Sequence, residues 1–368
     1  MSDAPLSSPR LSRLLPTLAI LILLAAIFFF LTRPKVRMGE LAGETMGTTY
    51  SVKVVTQGWK FGARQQQALH AEVDACLEDV NRRMSTWRPD SELSRFNQHL
   101  DDTPFKFSDE TFHVMQRAIQ ISEQTGGAFD LTVGPIVNAY GFGPDSRPIE
   151  PPSDEKLAEL KKRVGYHLVR LDPLAHTARK MRPDVYCDLS AIAKGYGVDQ
   201  VARLLDGQGI ASYMVEVGGE VRVRGRNAEG RPWRIAIEKP TDRGRALHRI
   251  VGLTDKAMAT SGDYHNYYMA DGVRICHEID PRTGHAIRNN LASVSVIGDD
   301  CETADALATA FMVLGPDDGY QFAERNGIAA LFLVRQQGGD GEFLEKMTSA
   351  FKAIEGADGN GQTASGRR

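Results

Sequence analysis

The sequence has few cysteines and lacks the common signatures of nucleotide-binding and hydrolase folds. Its four cysteines, Cys76, Cys187, Cys276 and Cys301, are widely separated and form no Cys-x-x-Cys pair. This spacing does not indicate a zinc site or a redox motif, and we expect separate thiols. The chain also lacks G-x-x-x-x-G-K-[ST], G-x-S-x-G and a G-x-G-x-x-G after a strand. A P-loop, a hydrolase nucleophile elbow and a dinucleotide-binding fold therefore have no direct support.

A large excess of charge of either sign is also absent. The 368 residues include 44 Lys and Arg against 47 Asp and Glu, a formal net charge of −3. This balance excludes a protein whose whole surface is built to bind nucleic acid. Hydrophobic residues make up 42% and charged residues 25%, which excludes a mainly disordered, collagen-like or multi-spanning membrane protein. The length allows a sizeable core.

One long uncharged run lies near the amino terminus. Residues 14–31 carry no charge and are bracketed by Arg13 and Arg33. As a helix the run would cover about 27 Å, enough to span a bilayer. It ends in bulky side chains from Phe28 to Leu31, unlike a signal-peptide cleavage site, so we predict an uncleaved anchor. Basic residues flank both ends, and charge alone leaves the orientation open.

The rest of the chain predicts a folded domain of the α+β class. Apolar periodicity and capping residues predict helices from Leu69 to about Ser85, Ser108 to Gly126, Ser190 to Gly207 and Thr303 to Leu314. Strands are predicted at Thr48 to Val55, Tyr213 to Val217, Val221 to Val223, Trp233 to Glu238, Ile250 to Leu253, Arg274 to Ile279, Ala292 to Ile297 and Ala329 to Val334. Runs of strands with grouped helices favour mixed or antiparallel sheets over regular β-α-β alternation. We divide the chain into an amino terminus (1–13), an anchor (14–31), a linker (32–43), the folded domain (44–354) and a disordered polar tail (355–368).

The predicted helix from Thr303 to Leu314 carries two polar residues in an apolar setting. Asp305 and Thr309 are four residues apart and so share one face. In one interpretation Asp305 is a first-turn acid that favours the helix dipole, and Thr309 bonds to its own backbone. In the other, both side chains are oxygen ligands of a hard cation such as Mg²⁺, which leaves room for phosphate. We favour the metal site.

A second helix start places an acid and a lysine close together. Asp188 precedes the helix predicted from Ser190, and Lys194 falls one turn inside it. A helix amino terminus with a nearby lysine favours phosphate. Capping by Asp188 and Ser190 with a solvated Lys194 explains the pattern equally well. Gly195 and Gly197 are small enough to let another segment or a ligand approach this helix.

Four other side chains lie in turn-rich segments and have two interpretations each. The rings of Trp87 and Phe129 are suited to stacking on a flat ligand, but such rings are also common core or surface anchors. Met46 is suited to contacting a ligand or to filling a gap in the core. His277 precedes a predicted β-turn at residues 280–283, and a lone histidine is usually structural.

Taken together and in order, seven strings resemble the ApbE family, the FAD:protein FMN transferases. They are MGTTY (46–50), MSTWRPDSELSRFN (84–97), GGAFDLTVGP (126–135), DLSAIAKGY (188–196), TSGDY (260–264), HEIDPRTG (277–284) and ADALATA (304–310). Each string is weak alone, but the set is specific and covers about residues 44–335. The resemblance implies an ApbE-like α+β fold that binds an extended FAD, with Mg²⁺ bridging the FAD phosphates to the protein.

The resemblance also implies roles for individual residues. The FAD contacts would be Met46, Trp87, Ala128, Phe129, Asp130, Asp188, Lys194 and Ile279. The metal ligands would be the main-chain carbonyl of Ala191 and the side chains of Asp305 and Thr309. Use of the Ala191 carbonyl implies an irregular helix start, because a regular carbonyl is occupied by the amide four residues on.

The reaction implied by the resemblance is phosphoryl transfer. A Thr or Ser hydroxyl of an acceptor protein attacks the FMN-side phosphorus of FAD, AMP leaves, and FMN remains as a phosphoester. Mg²⁺, held by Asp305, and Lys194 would offset charge on the phosphate oxygens. His277 is our candidate for the base, because an unperturbed imidazole has a pKa of about 6.5.

The resemblance further implies a place and partners for the protein. Family members act in the bacterial periplasm, many as lipoproteins, although this chain has an apparent membrane helix where they have a lipid-bearing cysteine. We therefore expect a single-pass inner-membrane anchor, residues 1–13 in the cytoplasm and the catalytic domain in the periplasm. The implied acceptors are flavinylated subunits of Na⁺-pumping (Nqr) or Rnf-type complexes and related redox proteins. An FAD pyrophosphatase and a non-catalytic flavin-binding redox carrier remain open from sequence.

Overall fold

The computed structural model describes most of the chain after the amino-terminal run. The described residues are 36–57, 62–144, 150–241, 244, 246–336, 342–358 and 362–363, with residues 19 and 22–24. Within these ranges no helix is both long and apolar enough to cross a bilayer. Most of the predicted anchor (14–31) and the whole predicted cytoplasmic segment (1–13) lie outside the described residues.

The strands and the helices of the described residues are each numbered in chain order. The strands are β1 (Val36–Thr45), β2 (Thr48–Gln57), β3 (Phe105–Lys106), β4 (Val169–Asp172), β5 (Thr177–Lys180), β6 (Tyr213–Val217), β7 (Glu220–Arg224), β8 (Trp233–Glu238), β9 (Leu247–Leu253), β10 (Lys256–Gly262), β11 (Tyr267–Ala270), β12 (Val273–Cys276), β13 (Leu291–Gly298), β14 (Ala329–Arg335), β15 (Phe343–Met347) and β16 (Gln362–Thr363). The helices are α1 (Ala63–Met84), α2 (Glu92–Gln98), α3 (Asp109–Gln124), α4 (Gly134–Ala139), α5 (Asp154–Lys161), α6 (Ser190–Gly207), α7 (Cys301–Arg325) and α8 (Ser349–Asp358).

The central element is an eight-stranded sheet. Its strand order is β1-β2-β6-β7-β10-β13-β14-β15. Two three-stranded sheets, β16-β9-β8 and β3-β5-β4, and the β11-β12 hairpin flank it. Each pairing between the described strands is antiparallel. The predicted α+β class with antiparallel sheets is therefore confirmed, and no parallel pair occurs among these strands.

The middle of the large sheet is buried on both faces. On one face Val294, Val296 and Phe332 pack in the same cluster as the apolar side of α7. On the other face Leu331 and Leu333 pack in a separate cluster that includes side chains from β8, β9 and α8. Strands covered on both sides need continuous apolar residues instead of alternation. The sequence of β14 has this pattern, whereas β13 has buried Ser293 and Ser295 between its valines. Helix α7 packs over this part of the sheet.

Helices α6 and α7 pack very closely because one residue of α6 has no side chain. A Cβ built on Gly195 would lie 2.3 Å from the Cys301 carbonyl oxygen and 2.9 Å from the Asp305 Cβ. The start of α7 is also tied to α6, because Asp199 accepts hydrogen bonds from the Cys301 and Glu302 amides at 2.9 and 3.0 Å. The close approach predicted from the small residue at 195 is thus confirmed.

We expect Gly195→Ala to lower the free energy of unfolding by about 1 to 3 kcal/mol, because the added methyl forces the two helices apart. Urea unfolding followed by circular dichroism measures this change. The matched control is Gly207→Ala at the end of the same helix, where a Cβ meets no atom within 4 Å. Equal stability of the two variants would show that the α6–α7 contact tolerates the methyl.

Predicted element bounds differ from the structure in several places. Residues from Val36 belong to the folded domain, because β1 pairs with β2 across a turn at Met46 and Gly47 that has φ values of 49° and 72°. This shortens the predicted linker. Helix α8 continues to Asp358 and residues 362–363 pair with β9, so the predicted disordered tail begins too early. Strand β12 ends at Cys276, which leaves the next residues in a loop.

Helix α7 is longer than predicted and begins earlier. It starts at Cys301, with Asp300 as its N-cap, and a non-helical Gly315 (φ 80°) interrupts it before it resumes to Arg325. The earlier start places Asp305 beyond the first turn. The four cysteines are free thiols, and Cys187, Cys276 and Cys301 are buried, which confirms that they stay separate.

Candidate active site

The Lys194 ammonium lies between two buried carboxylates near the start of α6. Its Nζ is 2.6 Å from Glu220 Oε1 and 3.7 Å from Asp305 Oδ1. Glu220, the first residue of β7, is 3% exposed and Asp305 is 2% exposed. Burial opposes the charge on Lys194, but Asp305 and Glu220 outweigh that effect and raise the Lys194 pKa. The lysine is therefore a charged, held group, which contradicts the interpretation in which it is solvated.

The second oxygen of Asp305 contacts α6 itself. The Gly195 amide donates to Asp305 Oδ2 at 3.0 Å. In a regular helix that amide donates to the carbonyl of Ala191, and a single N–H proton cannot serve both acceptors fully. At the start of α6 the Leu189 carbonyl accepts from the amides of both residues 192 and 193, at 3.0 and 2.8 Å, which is a common arrangement at helix ends. The contact of the Gly195 amide with Asp305 weakens its bond to the Ala191 carbonyl, which is the change that a metal ligand at this carbonyl would require.

The donors predicted for Mg²⁺ belong to two helices that pack against each other. Ala191 is on α6, while Asp305 and Thr309 lie four residues apart on α7. The Thr309 hydroxyl is 3.2 Å from the Ser261 hydroxyl at the end of β10. A carbonyl, a carboxylate and a hydroxyl are hard oxygen donors of the kind Mg²⁺ prefers. The dipole interpretation of Asp305 weakens, because that effect fades beyond the first turn.

A second group of acids lies at the start of α7. Ligand atoms of Asp199, Asp300 and Glu302 lie within 4.8 Å of one another. Asp199 is occupied by the first two amides of α7 and by Arg222, and Asp300 caps the same helix. Glu302 is paired with His113 at 3.0 Å. Asp199 and Asp300 therefore cap α7, whereas Glu302 pairs with His113 through one oxygen and its Oε1 is buried without a partner among the described residues.

The tautomer of His277 follows from its contact with Asn266. His277 Nδ1 is 3.2 Å from the Asn266 carbonyl, which only accepts hydrogen bonds, so Nδ1 carries the proton. Nε2 is then the basic nitrogen. Burial lowers the pKa of His277, and the charge on Lys194 lowers it further. A neutral imidazole with a basic Nε2 is suited to accept a proton from a hydroxyl.

Glu278 is a buried acid next to this histidine. Its Oε1 is 3.7 Å from His277 Nε2. Burial raises the Glu278 pKa to about 8, with Asp263 adding to the rise and Lys194 opposing it. The carboxyl is therefore mostly protonated at neutral pH, and it does not hold His277 in the charged state. Asp263 is itself fixed by Arg335, whose Nη1 donates to Oδ2 at 2.8 Å.

The loop after α3 turns its predicted FAD-contacting side chains into the protein. Asp130 accepts from the amides of Thr132 and Tyr166, both at 2.8 Å. Burial raises the pKa of Asp130 against the effect of these bonds. Ala128 and Phe129 are 1% and 3% exposed, and Phe129 packs in the main core. The Phe129 ring is therefore a core side chain in this structure, and its contact with FAD stays a prediction.

Asp188 and Met46 have local packing roles. Asp188 Oδ1 accepts from the amide and hydroxyl of Ser190, at 2.8 and 2.6 Å, while the N-cap of α6 is Leu189, which makes no side-chain cap bond. The Asp188 amide also donates to the Leu131 carbonyl at 2.7 Å, which joins the start of α6 to the loop after α3. Met46, in the β1–β2 turn, places its methyl group 3.0 Å from the position of a Cβ on Gly197.

Trp87 and Ile279 lie in contrasting environments. The Trp87 side chain is 64% exposed, whereas Ile279 is buried and forms an isolated bridge with Ala286. The predicted β-turn after Ile279 is confirmed, because the Thr283 amide donates to the Asp280 carbonyl at 3.2 Å. The structure thus leaves the Trp87 ring accessible to a ligand.

A cavity of about 800 Å³ opens beside this turn. Its lining residues are Asp154, Asp280, Thr283, His285, Ala286, Ile287, Arg288, Asn289, Val313 and Leu314. Val313 lies one helical turn beyond Thr309, and Asp280 directly follows Ile279. The cavity is lined by neighbours in sequence of a predicted metal ligand and a predicted FAD contact but by neither residue itself, and its volume is within the range of ligand sites.

Sequence reasoning missed Glu220, Asn266 and Glu278. Glu220 directly follows the glycine pair at 218–219, but the same two strands also contain Glu216, Arg222 and Arg224, so an acid there was no distinctive signal. Glu278 directly follows the candidate base. Asn266 acts through its main-chain carbonyl, and residue type gives no signal for such a role.

Several known proteins are similar to this chain in sequence and in fold. Residues 46–332 match the family described as the ApbE family. A relative from Vibrio cholerae serotype O1, named FAD:protein FMN transferase, is 48% identical over 313 residues, which cover 85% of this chain and 91% of the relative. A Haemophilus influenzae relative of the same name is 47% identical over 319 residues, covering 86% and 91%.

Two solved structures are also similar to this one. The flavin transferase ApbE from Vibrio cholerae has a TM-score of 0.79 and 46% identity, and the match covers 87% of this chain and 99% of that one. The apo form of the Pseudomonas stutzeri flavinyl transferase ApbE has a TM-score of 0.78 and 39% identity, with coverage of 87% and 98%.

Proposed function

We propose a reaction for this chain, which belongs to the ApbE family and is an FAD:protein FMN transferase. It uses Mg²⁺ to move FMN from FAD to a Thr or Ser hydroxyl of an acceptor protein, with release of AMP. The observation that carries the proposal is the junction of α6 and α7. There a charged Lys194 and the buried Asp305 lie together, one helical turn from the Thr309 hydroxyl.

Each of these groups has a defined task in the proposed reaction. The Ala191 carbonyl, Asp305 and Thr309 would hold Mg²⁺, which would neutralise charge on the phosphate oxygens. Lys194 binds a phosphate oxygen through its ammonium. The bond between the acceptor oxygen and the FMN-side phosphorus forms while the bond from that phosphorus to AMP breaks. His277 Nε2 takes the hydroxyl proton, and AMP leaves with the negative charge.

Two other functions share parts of this site. An FAD pyrophosphatase would use water in place of the acceptor hydroxyl with the same ligands. A non-catalytic redox carrier would have no use for a lysine held beside buried acids. The proposed acceptors are flavin-carrying subunits of Nqr- or Rnf-type electron-transfer complexes, whose hydroxyl must reach His277.

Mass spectrometry of an acceptor domain incubated with the protein, FAD and Mg²⁺ tests the proposal. We expect an FMN adduct on one Thr or Ser of the acceptor and one AMP released per adduct. Free FMN with AMP and no adduct would identify a pyrophosphatase. No change in FAD or acceptor would identify a carrier.

We also propose that the chain is anchored in the bacterial inner membrane with its catalytic domain in the periplasm. The support is the uncharged run at 14–31 and the domain that follows it, because the resemblance of that domain to the ApbE family implies action in the periplasm. A reporter enzyme that works only outside the cytoplasm, fused after Arg37, should be active. A soluble protein that begins near Thr32 would show cleavage and contradict the anchor.

We expect Trp87→Ala to weaken FAD binding about 2- to 13-fold, since a stacking contact contributes roughly 0.5–1.5 kcal/mol. Trp87→Phe keeps a ring and is the matched control. Phe129→Ala should instead cost about 3–5 kcal/mol of stability, because that ring is in the core. Flavin fluorescence titration and thermal unfolding separate the two effects. Unchanged FAD affinity in Trp87→Ala would make Trp87 a surface residue only.

A further inference from the structure

We propose that Glu220 is a positioning residue for flavin transfer, which holds the Lys194 ammonium in place and keeps it off the metal-binding carboxylate Asp305. The inference rests on the proposed function, because it assigns Lys194 to phosphate and Asp305 to Mg²⁺. Glu220 itself contacts neither the FAD phosphates nor Mg²⁺. It acts through Lys194 alone.

The β6–β7 turn fixes the position of Glu220. Gly218 and Gly219 have φ values of 62° and 106°, a left-handed pair that turns the chain sharply before Glu220. The same turn confines the lysine, since a Cβ on Gly218 would lie 3.3 Å from Lys194 Cδ. The lysine stem is thus held by the turn and its ammonium by the first residue after the turn.

The two carboxylates compete for one ammonium. Lys194 Nζ is 2.6 Å from Glu220 but 3.7 Å from Asp305. A lysine without Glu220 would move onto Asp305, because a four-carbon stem is flexible and a buried carboxylate attracts it strongly. That pairing would occupy an oxygen that the metal needs. Glu220 therefore protects the metal site as well as the position of the lysine.

The carboxylate of Glu220 also has fewer hydrogen-bond partners than that of Glu345, which belongs to a stabilising ion pair of this protein. Its Oε2 is buried with no hydrogen-bond partner among the described residues. By contrast, both oxygens of Glu345 are paired, with His248 at 2.8 Å and Arg249 at 2.6 Å. An unpaired oxygen of a buried carboxylate costs stability. A residue kept at such a cost fits a role in the reaction better than a role in folding.

A double-mutant cycle with Glu220→Gln and Lys194→Gln tests the proposal. We expect Glu220→Gln to lower kcat for AMP release at least about tenfold, since a misplaced catalytic group loses that much or more. In the Lys194→Gln background the same change should alter kcat less than about twofold. Glu345→Gln is the matched control, which should keep kcat within about twofold of the parent.

Magnesium binding provides a second measurement that does not depend on turnover. Without FAD, Mg²⁺ titration by calorimetry should show affinity about tenfold weaker in Glu220→Gln than in the parent. The double variant should regain affinity, because no lysine remains to cover Asp305. A merely structural Glu220 would lower the melting temperature without this recovery.

Several outcomes would overturn the proposal. They are parent-like Mg²⁺ affinity in Glu220→Gln, or losses in kcat that multiply in the double variant. If Glu220→Gln does not fold, Glu220→Asp keeps the charge but shortens the reach, and an unchanged kcat there would also overturn it. If the parent itself gives neither AMP nor adduct, the proposed function fails, whereas the Mg²⁺ cycle still decides whether Glu220 positions Lys194.

Discussion

Replacing Asp305 by Asn should lower the rate of AMP release by about two orders of magnitude or more. The substitution keeps the shape of the side chain and an oxygen for the Gly195 amide, but it removes the negative charge proposed to hold Mg²⁺. A bound metal contributes several kcal/mol of charge stabilisation, and about 1.4 kcal/mol corresponds to each tenfold in rate. Turnover measured against Mg²⁺ concentration, with FAD saturating, gives both the rate and the metal dependence.

The controls for this experiment come from the same helix. Asp317→Asn removes an exposed carboxylate of α7 and should leave the rate unchanged. Thr309→Val removes a neutral ligand, so we expect a smaller loss than for Asp305→Asn and a requirement for more Mg²⁺. Parent-like turnover and metal dependence in Asp305→Asn would remove the metal site from this account. A loss explained by unfolding would appear as a lower melting temperature.

Replacing His277 by Gln should lower the transfer rate about 10²- to 10⁴-fold, the usual contribution of a general base. FAD affinity should stay close to that of the parent, because the proposed role of His277 is proton transfer from the acceptor hydroxyl. Mass spectrometry of the adduct over time gives the rate, and fluorescence titration gives the affinity. His70→Gln, on α1, is the control for removal of a histidine.

The pH dependence of transfer follows from the same residue. A base works only when neutral, so the rate should fall as the pH drops through the His277 pKa. Burial lowers that pKa, so the midpoint of the loss should lie below the usual histidine value of about 6.5. The residual rate of His277→Gln should lack this acidic limb. An identical limb in the variant would assign it to another group.

Local signals in the sequence predict much of the secondary structure. The Ser108 hydroxyl accepts from the Thr111 amide and begins α3, as its capping pattern predicts. Helix α1 ends at Met84 before Ser85, where the apolar periodicity stops. These signals work because capping and helical periodicity depend on neighbours within one or two turns. Strand β1 was missed because it depends on pairing with β2.

The site is harder to predict because its contacts join distant segments. That Asp305 and Thr309 share one face follows from helix geometry alone. The contact of Lys194 with Glu220 does not, because it depends on a turn with two glycines in left-handed conformations. The approach of Gly195 to Asp305 requires α6 and α7 to pack over the same sheet. Burial of the Phe129 ring likewise depends on the core around it, and residue type alone does not reveal it.

The reaction rate of the buried Cys301 thiol reports how often the contact between α6 and α7 opens. Burial raises the pKa of this thiol, so the reactive thiolate is scarce while the fold is closed. The main-chain carbonyl oxygen of Cys301 lies against Gly195. Alkylation of Cys301 by a small thiol reagent therefore requires the junction to open. The labelling rate, compared with that of the more accessible Cys76, would report how often the two helices separate in the native protein.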